Sequence, residues 1–340
     1  MEEAKFRNKV TWFTFFFSLF VVWVHSYNGE LFLGKTSQGL TVVWLERLIG
    51  ETAGQIAVPG FFMISAYLFY RNFDWSCLGR KWKSRIHSIL IPYLLWNLIY
   101  YAGYVIGSRL PFVGHVMGKG VIPIDPLTML DAVINHRYLY VFWYLKQLIL
   151  LIGVAPLLYL VLKRTWSGIL FLLIMIYMVW IAADIPYFNE DALFYYSTGA
   201  FSALHGRWME KSWKKERCWI GIALIGLGAL NFYWTMRYFL PGTTVMFRFL
   251  TPVGLWMIIN EKRLPTARRW MECNFTLYAI HFAFVRLINK TAAALLPARM
   301  LIPLALYLLM PITMAAISFL LSMVMKRYMP GIWRVLNGRR

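Results

Sequence analysis

Long apolar stretches recur along the whole of this chain of 340 residues, and their regular spacing restricts the fold more than any single motif does. All but one of them are long enough to cross about 30 Å of hydrocarbon as a helix that rises about 1.5 Å per residue. The exception, 192–206, contains Gly199 and is short enough to be tilted or partly re-entrant. The pattern predicts an all-α, polytopic transmembrane bundle of about ten spans, which forms a single domain over residues 1–340. The stretches lie at about 10–28, 52–70, 86–108, 138–162, 166–184, 192–206, 218–237, 242–260, 271–289 and 301–325.

Charged side chains are too scarce to cover a surface that faces water. They make up 15% of the chain, and hydrophobic residues make up 60%, whereas soluble domains carry about 25% charged residues. The first stretch, 10–28, is too long for the apolar part of a cleavable signal peptide and has no small-residue cleavage site after it. We therefore expect it to be retained as the first membrane helix.

Lysine and arginine are unevenly divided between the connecting loops. With the N-terminus placed in the cytoplasm, the inner connections carry 24 of them and the outer connections carry seven. Cytoplasmic loops of membrane proteins are enriched in these residues, so we expect both termini in the cytoplasm and insertion in the plasma (inner) membrane. The net charge of +20 is thereby explained without a nucleic-acid partner. The inner connections are 1–9, 71–85, 163–165, 207–217, 261–270 and 326–340; the outer ones are 29–51, 109–137, 185–191, 238–241 and 290–300.

The three cysteines agree with this topology. Cys77, Cys218 and Cys273 all fall at predicted cytoplasmic ends, where thiols stay reduced. Their spacing matches no metal-binding motif, so we expect neither a disulfide nor a metal site.

His25 is the first candidate for chemistry. It is the ionisable side chain of the first stretch and lies about 15 residues into it, or about 22 Å from the start of a helix. Histidine suits general-base work near neutral pH. Its position is equally compatible with an interfacial histidine beside Tyr27, satisfied by lipid headgroups or loop water.

Lys146 and Arg248 are predicted to lie deep within spans. An unpaired cation there is costly, so each needs a carboxylate, a carbonyl group or an anionic ligand opposite it. Asp184 and Glu272 are the acids that lie within the predicted spans, and both are terminal. An anionic or carbonyl-bearing ligand and pairing with backbone carbonyls both remain open.

Two further segments carry candidate residues. In the loop 71–85, four cations surround Trp82 and suit the phosphates of a nucleotide, although an ordinary positive loop that touches anionic lipid has the same composition. In 271–289, three polar residues share one helical face; such a stripe faces protein or a cavity, and as a hydrogen-bonding stripe between helices it needs no catalytic role. The cations are Arg80, Lys81, Lys83 and Arg85; the polar residues are Asn274, Tyr278 and His281.

Several of these segments, in this order, resemble the acyltransferase 3 family of membrane proteins. His25 closes the first stretch, and 58–68 is similar to the family's second span, with Ala66 where glycine is usual. The segments 85–96, which includes Ile91-Pro92-Tyr93, and 142–145 with 155–158 resemble further signatures, and 274–281 resembles the late Tyr-x-x-His segment. The resemblance covers about 260 residues of the chain.

The resemblance implies transfer of an acyl group, usually acetyl, from cytoplasmic acyl-CoA to a hydroxyl of a carbohydrate or lipid-linked glycan of the envelope, such as an exopolysaccharide or lipopolysaccharide. Acyl-CoA acts as the donor substrate, and no permanently bound cofactor is implied. His25 takes the catalytic position as general base or acyl carrier. The phosphates of acyl-CoA are expected on the four cations of 80–85, and Lys146 is a candidate to polarise the carbonyl. The expected pocket residues are Ser65, Tyr93, Trp143, Tyr144, Lys146, Arg248, Asn274, Tyr278 and His281.

The chain departs from the family at one position. An arginine usually stands eleven residues before the catalytic histidine, and this chain has Thr14 there. Arg7 or Lys9 are the cations that could serve from a turn or two lower. Two other functions therefore stay open: a transporter or flippase of an envelope precursor, and a membrane-embedded binding or sensing domain without chemistry.

The topology is testable with reporter fusions. We expect a fusion at Gly120 to report outside and one at Lys215 to report inside, because the division of Lys and Arg places these loops on opposite faces. An inside signal at Gly120 would contradict the ten-span arrangement.

Overall fold

Helices make up most of the part of the chain that the structure describes. The structure is a computed structural model and describes residues 1–111, 113–114, 119–238 and 244–338. Within these ranges no strand forms, apart from one isolated bridge between Ile185 and Phe188. The all-α class predicted from the sequence is confirmed.

Each of the ten apolar stretches coincides with a helix, and short helices lie between them. Single turns of 3₁₀ or π-helix join several of these, such as the π-helical Gly50–Gly54 and Ile86–Leu90. The helices are α1 (Glu3–Val24), α2 (Gly29–Leu33), α3 (Ser37–Ile49), α4 (Ala57–Tyr70), α5 (Leu78–Arg85), α6 (Ile91–Arg109), α7 (Pro126–Ile134), α8 (Trp143–Gly153), α9 (Ala155–Leu162), α10 (Thr165–Trp180), α11 (Glu190–His205), α12 (Lys215–Tyr238), α13 (Thr244–Ile258), α14 (Asn274–Leu295), α15 (Leu301–Tyr328) and α16 (Pro330–Leu336).

Five helical segments of the described residues are long and apolar enough to cross a membrane. Two consecutive helical segments, Tyr140–Gly153 and Ala155–Leu162, are bent by 64° relative to each other and make a sixth only if the pair crosses as one span. The predicted stretches 166–184 and 242–260 form shorter apolar helices, α10 and α13. Length and composition of the helices therefore support at least a multi-span bundle, and the count of ten stays a prediction. The five segments are Glu3–Leu33, Ser37–Tyr70, Trp75–Arg109, Lys215–Tyr238 and Leu301–Tyr328.

The two longest predicted loops contain helices. Region 29–51 forms α2 and α3, and region 109–137 contains α7. Side-chain oxygens cap both longer helices: Thr36 accepts from the N–H of Gly39 at 3.1 Å, and Asp125 accepts from the N–H of Thr128 at 2.8 Å. Such residues at the N-cap are a known start signal, so these two connections contain helices that the hydropathy pattern did not predict. The predicted loop 238–241 lies almost wholly outside the described residues.

Small residues set the closest helix contacts. A Cβ at Gly221 of α12 would lie 2.7 Å from the carbonyl oxygen of Gly254 in α13, and one at Gly254 would lie 2.6 Å from that of Gly221. Gly199 of α11 lies directly against the backbone of Met63 in α4. Membrane helices associate through such close approach because lipid removes most of the hydrophobic driving force between them.

The chain leaves α1 at His25 and is then held by buried polar side chains. Glu46 of α3 is 1% exposed and accepts from the backbone N–H of Asn28 at 2.8 Å and of Gly29 at 3.1 Å. Asn289 of α14 donates to the carbonyl of Ser26 at 3.2 Å. These contacts give the freed backbone groups partners inside the protein and fix where His25 lies.

We expect Gly199→Ala to destabilise the protein by about 1–3 kcal/mol, because the added methyl group overlaps the backbone of Met63 and neither helix can yield easily. Gly226→Ala is the matched control, since a Cβ at Gly226 meets no atom of the described residues within 4 Å and alanine favours helix by up to about 1 kcal/mol. The midpoints of thermal unfolding, measured in nanodiscs, report the stability of both variants. Equal midpoints for the two variants would contradict the tight α4–α11 contact.

Candidate functional site

A cavity of about 370 Å³ runs along one face of α1. Val10, Thr14, Ser18, Val21 and His25 line it at spacings of three or four residues, which places them on one helical face over about 22 Å. This space is called the first cavity below. Its other lining residues come from α4, α5, the Ile86–Leu90 turn, the Tyr140–Phe142 turn, α8 and α14: Val58, Phe61, Ile64, Ser65, Leu68, Arg85, Ile89, Val141, Trp143, Tyr144, Leu145, Leu148, Asn274, Phe275, Tyr278 and His281.

His25 lies at the far end of the first cavity and is half-buried. Its Nδ1 is 2.9 Å from the hydroxyl of Tyr140, and its ring stands edge-on to Phe282 with centroids 5.6 Å apart. When Tyr140 accepts the Nδ1 proton, Nε2 is the basic nitrogen of the neutral ring.

His281 lies beside His25, with ring centroids 5.2 Å apart. It is fully buried, and its Nδ1 is 2.7 Å from the carbonyl oxygen of Tyr278. A carbonyl can only accept, so Nδ1 carries the proton and Nε2 holds the free lone pair. That Nε2 has no hydrogen-bond partner among the described residues. The two histidines therefore bring two imidazole rings to one end of the cavity.

Stacked aromatic rings support this wall. Tyr278 stacks flat on Phe142 at 5.3 Å and donates to the carbonyl of Val141. Tyr93 stacks on the same Phe142 at 5.9 Å and donates to the carbonyl of Ile134 at 3.1 Å. Tyr93 is thus behind the wall rather than in the cavity lining where it was expected.

Ser65 and Tyr144 contact each other in the lining of the first cavity. Their hydroxyls are 3.2 Å apart, and Trp143 lines the same space. These three expected pocket residues therefore do come together with Asn274, Tyr278 and His281.

The two cations at the start of α1 do not take the place of the arginine that usually stands eleven residues before the catalytic histidine. Thr14 lines the cavity and accepts from the Asn274 amide at 3.4 Å. Arg7 is 79% exposed and pairs with Glu3 at 2.7 Å. Lys9 is buried, donates to the carbonyl of Ile259 at 2.7 Å and lies over the Trp256 ring. Both cations point away from the first cavity, so the suggestion that either serves it is wrong.

The four cations of 80–85 are separated by the fold. Arg85 lines the first cavity and is the one guanidinium among the lining residues that the structure describes. Lys81 donates to the carbonyls of Phe69 and Arg71 and so caps the end of α4. Arg80 and Lys83 are exposed to the surroundings. A single phosphate site formed by all four is not present in this arrangement.

Lys146 lies outside the lining of the first cavity. On α8 the lining residues are Trp143, Tyr144, Leu145 and Leu148, and at about 100° per residue Lys146 falls on the opposite side. Its ammonium donates to Asn135 Oδ1 at 3.2 Å. Burial and this nearby ammonium lower the pKa of His136, in the loop before α8, to about 4. Polarisation of an acyl carbonyl in the cavity by Lys146 does not fit this geometry.

Arg248 borders a second, smaller cavity of about 200 Å³. Its guanidinium pairs with Asp191 at 2.6 Å. Asp191 was assigned from the sequence to a loop, but it belongs to the first turn of α11. The expected counter-charge for Arg248 is therefore a carboxylate of the protein.

The sequence did not identify Tyr140 and Asp191 as candidate site residues. Tyr140 lies three residues before the singled-out Trp143-Tyr144 pair, but nothing local shows that it meets His25, 115 residues away. For Asp191, Asn189 is a signal, because an asparagine followed by Glu190 and Asp191 is typical of a helix start. Within the described ranges no group of three or more His, Cys, Asp or Glu side chains is placed to hold a metal ion.

Comparison with known proteins agrees with the resemblance seen in the sequence. A family described as acyltransferase domain matches residues 9–324. The succinoglycan biosynthesis protein ExoH of Rhizobium meliloti (strain 1021) is 28% identical over 198 residues, which are 55% of this chain and 51% of ExoH. The chain thus aligns with about half the length of this relative. No solved structure matches this chain.

Proposed function

The chain belongs to the acyltransferase 3 family, and from this membership we propose that it transfers an acyl group, acetyl in particular, from acyl-CoA to a hydroxyl of a cell-envelope carbohydrate. The carbohydrate acceptor is supported by the similarity to ExoH, whose name assigns it to succinoglycan biosynthesis.

One observation carries the proposal: Arg85 and the two histidines line the same cavity. A guanidinium suits a phosphate group because it forms charge-assisted, often paired hydrogen bonds. An imidazole suits proton transfer near neutral pH. The rest of the lining is mostly apolar, with Val10 and Val21 beside the hydroxyls of Thr14 and Ser18 on α1, and it fits the thin pantetheine arm of acyl-CoA.

In the proposed reaction, acyl-CoA places its phosphates near Arg85 and its thioester near His25. His25 Nε2 takes the proton of the acceptor hydroxyl, the oxygen forms a bond to the thioester carbon, and the C–S bond breaks. The proton then passes from the imidazolium to the CoA thiolate. In the covalent variant, His25 Nε2 first takes the acyl group and CoA leaves as the thiolate; the acceptor oxygen then displaces the imidazole, and the hydroxyl proton passes to the thiolate.

The proposal includes the topology predicted from the charges. With about ten spans and both termini in the cytoplasm, the Val10 and Arg85 end of the cavity faces the cytoplasmic pool of acyl-CoA. His25, about 22 Å further along α1, then lies toward the outer face of the inner membrane. A donor and an acceptor that never share a compartment can meet there.

We expect His25→Ala to lower the rate of acetyl transfer by about 10²–10⁴ because a positioned proton acceptor is lost, with membrane insertion and acetyl-CoA binding unchanged. His281→Ala should cost less, about 1 kcal/mol or roughly fivefold, because the ring it removes lies beside His25 and is hydrogen-bonded to Tyr278. Transfer by purified variants in nanodiscs measures both, and His87→Ala, outside the lining of the cavity, is the matched control. Full activity in His25→Ala would instead favour a transporter.

We expect Arg85→Ala to weaken acetyl-CoA binding about tenfold or more, because a buried charge-assisted contact contributes about 1.5–3 kcal/mol. Arg80→Ala and Lys83→Ala on the exposed side of the same helix should each change it by about 1 kcal/mol or less. Lys81→Ala should lower the thermal midpoint rather than the affinity. Titration with acetyl-CoA at two salt concentrations measures these effects. Equal affinities for Arg85→Ala and the parent would contradict the assignment of Arg85 to the phosphates of acyl-CoA.

A further inference from the structure

The second cavity adjoins the first at His25. Val21, His25, Val58 and Trp143 line both. From these shared residues the first cavity extends toward Val10, whereas the second lies against the beginnings of α4, α11 and α13, where the remaining lining residues are Val24, Gly54, Gln55, Pro59, Phe62, Asn189, Asp191, Ala192, Tyr195 and Arg248. The imidazole of His25 therefore separates two spaces that approach it from different sides.

The Arg248–Asp191 pair in the second cavity uses only part of its hydrogen-bonding capacity. Arg248 Nη1 donates to Asp191 Oδ2 at 2.6 Å, and the two side chains are 21% and 22% exposed. Arg248 Nε and Asp191 Oδ1 are both buried and make no hydrogen bond of good geometry among the described residues, and the hydroxyl of Tyr195 in the same lining interacts with Asp191. Leaving charged groups buried and unsatisfied is costly, so a ligand that completes both groups would be bound favourably.

Arg248 Nε and Asp191 Oδ1 indicate which hydrogen-bonding groups a ligand of this cavity would carry. Arg248 Nε–H can only donate and Asp191 Oδ1 can only accept, so a group that accepts and donates on adjacent atoms satisfies both. Two neighbouring hydroxyls of a sugar do this. The opposite charges cancel, so the pair gives no net attraction for an anion and favours a neutral, polyhydroxylated molecule.

Other lining groups suit a sugar ring as well. Trp143 offers an aromatic face for the apolar side of a pyranose, and Gln55 and Asn189 add polar side chains to the lining. The volume of about 200 Å³ is below the roughly 300–1,000 Å³ of sites for drug-sized ligands. One ring, rather than an oligosaccharide, fits this space.

We propose that the second cavity is the acceptor subsite and holds one hexose ring, with two adjacent hydroxyls on Asp191 and Arg248 and another hydroxyl directed at His25. This assignment rests on the proposed acyl transfer. It makes specificity for the sugar a property of α11 and α13, separate from the donor groups on α1 and α5.

The test uses the full chain in nanodiscs and methyl β-D-glucopyranoside as probe, with its fully O-methylated analogue as the ligand that cannot donate. Saturation-transfer NMR measures binding without any donor present. We expect the glucoside to bind and the O-methylated analogue not to. Asp191→Asn and Arg248→Lys, which keep side-chain size but change the hydrogen-bonding atoms, should each weaken glucoside binding at least tenfold and leave acetyl-CoA affinity unchanged.

A matched control is Asp131→Asn in the exposed Arg137–Asp131 pair, whose atoms are 2.7 Å apart and which borders neither cavity. It should bind the glucoside as the parent does. If Asp191→Asn lowers the thermal midpoint, Gln55→Ala provides a change in the same lining that leaves the ion pair in place, and it should also weaken binding. Unchanged binding in all three cavity variants, equal binding of the O-methylated analogue, or no binding of methyl glucoside, galactoside or mannoside by the parent overturns the proposal.

Failure of the subsite and failure of the enzymatic function give different results. If the parent transfers acetyl to the glucoside but Asp191→Asn leaves the acceptor KM unchanged, the acceptor subsite is wrong and the acyltransferase stands. If the glucoside binds through Asp191 but the parent transfers no acetyl from acetyl-CoA, the sugar site stands and the proposed reaction fails.

Discussion

The end of α1 is the constraint on which the site depends. The helix stops at Val24, and the chain turns at His25 before the next short helix begins. In a membrane, backbone groups released by such a break need partners inside the protein, because lipid offers none. Glu46 and Asn289 supply them. The break places His25 beyond the last turn of the helix, where its ring can face two cavities instead of one.

The side chains around His25 position its imidazole for proton transfer. Tyr140 contacts Nδ1 from the turn before α8, and His281 is brought alongside by α14. The stack of Tyr278 on Phe142 holds this wall in place. In the proposed reaction, the donor and the acceptor approach this imidazole from two adjoining cavities.

The cations of the bundle fall into two groups, those that hydrogen-bond within the protein and those that line cavities. Lys81 caps a helix end, Lys146 is bound by an asparagine and Lys9 by a carbonyl. Each of these contacts gives an ammonium group an acceptor within the protein. Arg85 and Arg248 differ because they line cavities, and Arg248 retains an unused donor. Exposure to a cavity, rather than the presence of a cation, marks the residues available to a ligand.

The amino-acid sequence alone determined the all-α class, the positions of the ten helical stretches and the family, because hydropathy and local motifs are short-range properties. It also singled out His25, Trp143, Tyr144 and His281, which the structure brings to one cavity. Only the tertiary structure decided that Arg85 lines that cavity while Lys81 and Lys146 do not. It also decided that Tyr140 meets His25 and that Asp191 meets Arg248. These outcomes depend on how helices rotate and pack against one another, and residues 57 or 115 positions apart leave no trace of their contact in local sequence.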